Sequence, residues 1–296
     1  MGELLRYAKN NTEMRLIMNE KKTKKVLLLV VIYLIFLVFA SVTILPFLWM
    51  LSTAFKFEQN VFHFPIQWIP AAIRWENFSD VFTQIPFTTY YWNSIKLSSV
   101  ITFFTLVTSA LAAYAFAKLR FRGRDKLFLL YLATLMVPWQ VIMIPQFMVI
   151  TKIGLVNSHW SLILTQSFTP FGVFLLRQYF LSIPKEYSEA AKIDGCNDLK
   201  ICFKIITPMA KPGFVTLLIF QFMGIWNDYL ALLIFLNDDK LRTLQLGLRY
   251  FQAEHSTSYA LLMAGTLLTL IPVVAVYIFA QKQIMNGLAN AGGIKG

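Results

Sequence analysis

With 57% hydrophobic, 16% aromatic and only 14% charged side chains over 296 residues, the chain is too apolar for any soluble class and suits a protein embedded in a bilayer. Its net charge of +12 is matched by no motif for nucleic acid, and cationic segments facing anionic lipid account for it. No phosphate-binding G-x-x-x-x-G-K-[ST] loop, H-E-x-x-H or G-x-S-x-G is present, so the sequence offers neither ATP hydrolysis nor hydrolase chemistry of its own.

Taken in chain order, residues 1–25 end in the basic run KKTKK and read as a mobile cytoplasmic tail. Val26–Thr53 is apolar well beyond the roughly 7–15 residues of a signal-peptide core, and no small-residue cleavage site follows, so it reads as a retained span. Residues 54–93 carry FHFPIQWIP and WENFSDVF, whose aromatics and prolines suit a segment at the membrane surface. Further apolar runs follow at Ser94–Ala117, Leu127–Ile150, Trp160–Phe180, Phe214–Leu236 and Ala260–Ala280. Each approaches the roughly twenty residues that cross a hydrocarbon core, which predicts an all-α polytopic protein with six transmembrane helices. Prolines at 46, 138, 145, 170 and 272 are expected to kink these spans, because each removes an intrahelical hydrogen bond.

Between the fourth and fifth spans lies a polar amphipathic segment, 184–208. Glu186 and Glu189 fall in a first helical turn, where carboxylates complement the exposed N–H groups. Gly195 suits a left-handed helix end, and Asn197 suits the cap of a second helix running through Ile206. The sequence therefore predicts helix, sharp bend, helix.

In the fifth span, Asp228 is the acid placed within an apolar run, beside Asn227 and Trp226. Such groups are costly in a membrane and face a pathway, a partner or another helix. A polar patch on a pathway is one reading of these three residues; a packing hydrogen bond is the competing one. The segment Asn237–Ser258, with charges, Tyr250, Phe251 and Gly247, is expected to project outward. His63, His159 and His255 have no ligand spacing, so no metal site is expected. Residues 282–296 read as a small, flexible cytoplasmic tail.

Basic residues set the orientation. With the N-terminus inside, cytoplasmic segments hold 20 of the 27 Lys and Arg. Both termini and the 184–208 loop then lie in the cytoplasm, where a reducing environment leaves Cys196 and Cys202 unpaired.

Glu189-Ala190-Ala191, three residues, Gly195, nine residues, then Ile205 and Pro208 resembles the EAA loop of the membrane subunits of ATP-binding-cassette (ABC) importers, with Thr207 replacing a leucine. WNDYL at 226–230, the P-x-x-W-x-P and N-F-x-x-V-F elements of 65–82, and the tail QKQIMNGLANAGGIKG are similar to carbohydrate-importer permeases, specifically the shorter second membrane subunit of the maltose type. The tail has Asn286 where those have a lysine. The resemblance implies a permease for a sugar or oligosaccharide, with 26–281 as the six-helix domain. It implies coupling through Glu189, Ala190, Ala191, Asp194 and Gly195, a homologous second permease, two ATPase subunits and an extracytoplasmic sugar-binding protein. ATP and Mg would be held by the ATPases and no cofactor by this chain, and the tail and the 237–258 segment would touch the ATPases and the binding protein respectively. A sugar-phosphate importer shares these motifs. A self-contained secondary transporter or membrane enzyme would show more intramembrane ionisable groups.

Overall fold

The computed structural model describes the backbone of residues 2–252 and 257–291, and side chains over 25–252, 257–279 and 281. Helices dominate. In order they are α1 Gly2–Ala54, α2 Glu76–Gln84, α3 Phe87–Lys118, α4 Arg124–Ala133, α5 Trp139–Lys152, α6 His159–Gln166 and α7 Pro170–Ser182. There follow α8 Glu186–Ile193, α9 Asp198–Ile201, α10 Thr207–Met209, α11 Lys211–Trp226, α12 Leu230–Phe235, α13 Leu244–Leu248 and α14 Tyr259–Ala291. One turn of π-helix, Cys202–Ile206, joins α9 to α10.

Among the described residues, three stretches are long and apolar enough to cross a membrane unaided: Lys25–Ala54, Phe87–Lys118 and Tyr259–Phe279. Two bent pairs raise the number to five, one turning by 99° between Met136 and Trp139 and one by 86° between Met209 and Lys211. The expected fourth span is instead two short helices, α6 and α7, broken at 167–169. The fifth continues past a break at 227–229 into α12. Local proline chemistry explains part of this. Helices run through Pro46, Pro145 and Pro272, whereas Pro138 and Pro170 each stand at a helix start, where a missing N–H costs nothing.

The break at 167–169 frees carbonyls that other helices answer. Thr105 donates to the Gln166 carbonyl at 3.4 Å, Gln221 donates to the same oxygen at 3.2 Å, and Thr108 donates to Ser167 at 2.8 Å. This accounts for two of the hydroxyls on α3, Thr105 and Thr108. Its buried face also carries Ser94, Ser98, Ser109, Ala110 and Ala113, small residues that let neighbouring helices approach. At Gly172 of α7 an added Cβ would lie 2.4 Å from Ser109 Oγ, so α7 packs onto α3 nearly backbone to backbone.

The core divides into three clusters. The first, beneath α8, unites Ala113, Tyr114, Phe128, Leu176, Phe180 and Ile206. A second, at the opposite end, gathers Ala54, Phe87, Tyr90, Trp226, Leu244 and Leu261; a third gathers Leu97, Ile150, Leu162 and Phe235. Glu58 caps α14, accepting from the N–H groups of Tyr259 at 2.9 Å and Ala260 at 2.8 Å. By contrast Val26–Leu48 of α1 is exposed along its length within the single chain.

Two expectations change. The basic stretch read as an N-terminal tail continues α1 back to Gly2. The 237–252 segment folds inward rather than projecting: Leu244, Leu246, Leu248 and Phe251 are buried, and a Cβ on Gly247 would lie 2.3 Å from the Tyr90 ring. Apolar residues outweigh the charges here because α13 is buried nearly all round, through Leu244, Leu246, Gly247 and Leu248. Tyr250 stays 64% exposed. His255 and residues 292–296 of the tail lie outside the described residues.

Candidate functional site

The 184–208 segment forms the first candidate site. α8 ends as its sequence dictates. Gly195 has φ +77°, its N–H reaches the Lys192 carbonyl at 3.0 Å, and the Cys196 N–H reaches Ala191 at 2.9 Å. This is the Schellman arrangement, which satisfies the last carbonyls of a helix and turns the chain sharply. Asn197 then caps α9, its Oδ1 accepting from the Lys200 N–H at 2.9 Å.

One side of this bent pair is fastened to the bundle. Ala191, Ile201, Cys202 and Ile206 are buried in the first core cluster. Asp198 accepts from the Tyr114 hydroxyl at 2.9 Å and pairs with Lys192 at 3.1 Å. The Lys192 ammonium and then the Tyr114 hydroxyl hold the Asp198 carboxyl below the usual carboxylate range. Burial pushes the Cys202 thiol up to about 11.

The other side is bare. Glu189, Ala190, Asp194 and Gly195 are exposed, Ile193 is 87% exposed, and Tyr187 and Leu199 are also open. The five expected coupling residues therefore divide: four face outward, while Ala191 faces this chain's own core. Ile193, Tyr187 and Leu199 are additions that the motif does not name, although apolar residues in a polar loop are a readable signal.

The second candidate site is a cleft of about 790 Å³ lined by Asn227, Tyr229, Gln245, Arg249, Gln252, Thr266 and Thr269 with apolar neighbours. The three residues expected here part company. Asn227 lines the cleft, holding its own helix end through Nδ2 to the Met223 carbonyl at 2.9 Å. Trp226 turns inward, 2% exposed, stacked on Phe222 at 5.7 Å and edge-on to Tyr91 at 6.0 Å. Its indole presents no face to the cleft; Tyr229 lines it instead, in contact with the Arg249 guanidinium.

Asp228 points the other way, accepting from Gln166 Nε2 at 2.8 Å and from the Ala231 N–H at 3.1 Å. It thus caps α12 and ties the break at 227–229 to the end of α6. Gln245, Arg249 and Gln252 escaped sequence reading, yet their spacing of four and three residues is that of one helical face, as is Thr266 with Thr269.

The description of binding-protein-dependent transport system inner membrane components matches residues 105–284. The arabinooligosaccharides transport system permease protein AraQ of Halalkalibacterium halodurans is 35% identical over 260 residues, covering 87% of this chain and 93% of that protein. The lactose transport system permease protein LacG of Rhizobium radiobacter is 31% identical over 252 residues, covering 85% and 92%. A chain of a bacterial ABC transporter involved in the import of the acidic polysaccharide alginate superposes with a TM-score of 0.78 at 25% identity, covering 86% of this chain and 95% of its own.

Proposed function

The chain belongs to the binding-protein-dependent transport system inner membrane components, and from that premise we propose that it forms half of the translocation pathway of an ATP-driven importer for a sugar or oligosaccharide. Relatives named for arabinooligosaccharides and lactose support the cargo class. Its proposed partners are a homologous second permease, two ATPase subunits that hold ATP and Mg, an extracytoplasmic sugar-binding protein and membrane lipid. The exposed apolar span of α1 supports a helical partner in the membrane. Residues 26–281 make the membrane domain, with six spans when α6 with α7 and α11 with α12 each cross as broken helices. The termini and the 184–208 loop lie in the cytoplasm, on the strength of the basic-residue distribution.

The observation that carries the mechanism is the two-faced α8, buried through Ala191 and exposed through Glu189, Ala190 and Ile193. Such an element transmits force. ATPase closure around its bare face displaces α8, and the buried face passes that displacement to α3, α4 and α7, biasing the bundle between outward- and inward-facing states. Sugar moves along the Asn227 cleft, where amides, hydroxyls and the Tyr229 ring meet a polyol, while Asp228 holds the helix break in place. Exchanging a charge at a buried interface costs about 2–5 kcal/mol. Glu189→Lys should therefore leave assembly of the spans intact but uncouple ATP consumption from uptake in reconstituted vesicles; wild-type coupling in that variant removes α8 from the interface.

A sugar phosphate is the second reading, favoured by Arg249, since the cleft's described lining holds this cation and no carboxylate. Competition of uptake by neutral sugars against sugar phosphates separates the two.

A further inference from the structure

On the α8 side of the molecule, a recess of about 570 Å³ opens between the α3–α4 connection and α8. Lys118, Arg120, Arg124, Lys185 and Lys192 line it, against the single acid Glu189. Some of these cations are already engaged. Lys118 Nζ donates to the Ile183 carbonyl at 2.6 Å, Arg124 pairs with the exposed Asp125 at 3.2 Å, and Lys192 pairs with Asp198 at 3.1 Å. Arg120 and Lys185 have no acid within 4.0 Å among the described residues. Positive charge therefore exceeds negative charge in a concave space.

Ser188 is the second, independent observation. It is 8% exposed, lines the same recess, and its Oγ has no hydrogen-bond partner among the described residues. A buried hydroxyl left without a partner costs on the order of 1–3 kcal/mol, so its retention beside a ring of cations suits an acceptor-rich ligand. Phosphate oxygens meet both needs, accepting charge-assisted hydrogen bonds from Lys and Arg and a hydrogen bond from the serine hydroxyl.

The level of the recess decides the source. Lys118 is the last residue of a membrane-length helix and Arg124 the first of the next, so the basic groups stand where the apolar spans end. Leu119 and the 41%-exposed Phe121 border them, offering an apolar surface to a glycerol or acyl chain. We propose that this recess binds the phosphate group of an anionic phospholipid of the cytoplasmic leaflet, placing a lipid against the root of α8. The proposal rests on the cytoplasmic placement proposed above, which thiol labelling tests separately.

Thermal unfolding of the full chain in detergent, titrated with short-chain phosphatidylglycerol, phosphatidylcholine or inorganic phosphate, tests it. Phosphatidylglycerol should raise the midpoint saturably and phosphatidylcholine should not. Each basic group near an anionic surface is worth roughly a factor of five, so Arg120→Ala with Lys185→Ala should weaken the response at least about tenfold. Ser188→Ala should weaken it a few-fold while leaving the lipid-free midpoint unchanged or higher, because no bond of Ser188 Oγ is lost. An equal response in wild type and the double variant overturns the site. Inorganic phosphate matching phosphatidylglycerol overturns the lipid source and leaves a free-anion site. A double variant that loses ATPase subunits from the purified complex but keeps the lipid response hands the recess to the ATPase instead, and overturns the proposal.

Discussion

Gly195 shows how much one residue's backbone decides. At φ +77° a Cβ would meet nothing within 4 Å, so the position demands glycine for torsion alone and not for space. The left-handed region costs an ordinary residue roughly 1–2 kcal/mol, more when β-branched, and less for asparagine. Gly195→Val should thus lower coupled ATPase activity, whereas Gly195→Asn should retain most of it; equal behaviour of the two would show that the turn does not set the aim of α9. Lys56 is the opposite case, since its problem is space and charge. It is 1% exposed, its Nζ lies 4.3 Å over the Trp49 ring without a hydrogen-bond partner among the described residues, and burial lowers its pKa. A desolvated cation–π contact returns about 2 kcal/mol, against several for burying the ammonium. Lys56→Met should therefore raise the thermal midpoint, and a clear fall would mean that the cation is worth more than its desolvation.

Elements differ in how far they can be read from sequence. The bend at Gly195 and the cap at Asn197 were legible because both act through hydrogen bonds spanning three to five residues. The breaks near Pro138 and Pro170 were legible only as kinks. Proline announces a lost donor, but how far the helix then turns depends on which neighbours answer the freed carbonyls. Trp226 misled for the same reason: indole chemistry suits a sugar, yet Phe222 and Tyr91, distant or one turn away, claim the ring first. Asp228 belongs to this scale too. Its oxygens serve Gln166 and the Ala231 N–H, so Asp228→Asn keeps one acceptor and loses the other. One charge-assisted bond is thus lost, worth about 1.5–3 kcal/mol, and the other is weakened. The variant should lower stability and transport rate together while leaving apparent sugar affinity unchanged; an altered affinity alone would return the carboxylate to the pathway.

For the whole molecule, the arrangement of spans and the side on which α8 stands can be measured together with two native thiols. Cys196 is half-buried in the loop, and Cys202 is buried with its thiol raised to about 11. The thiolate is the reacting species. A membrane-impermeant maleimide near neutral pH should leave intact cells unlabelled and modify Cys196, not Cys202, in inside-out vesicles. Labelling of Cys196 in intact cells would invert the topology. Composition and charge were enough to place the chain in a bilayer. The cleft was not foreseeable, because its walls come from residues more than thirty positions apart, brought together only when the 237–252 segment folds inward.

The break between α6 and α7 also bears on electrical insulation. A gap in a membrane helix ordinarily invites water, and a file of water conducts protons. Here Thr105, Thr108 and Gln221 donate to the opened carbonyls from within the protein, so the interruption need not be hydrated to be stable. The hydroxyls that let α3 lie against a broken neighbour thus also act as sealant. On the proposed reading of α6 and α7 as one broken span, the discontinuity is closed by protein donors and needs no file of water to stabilise it.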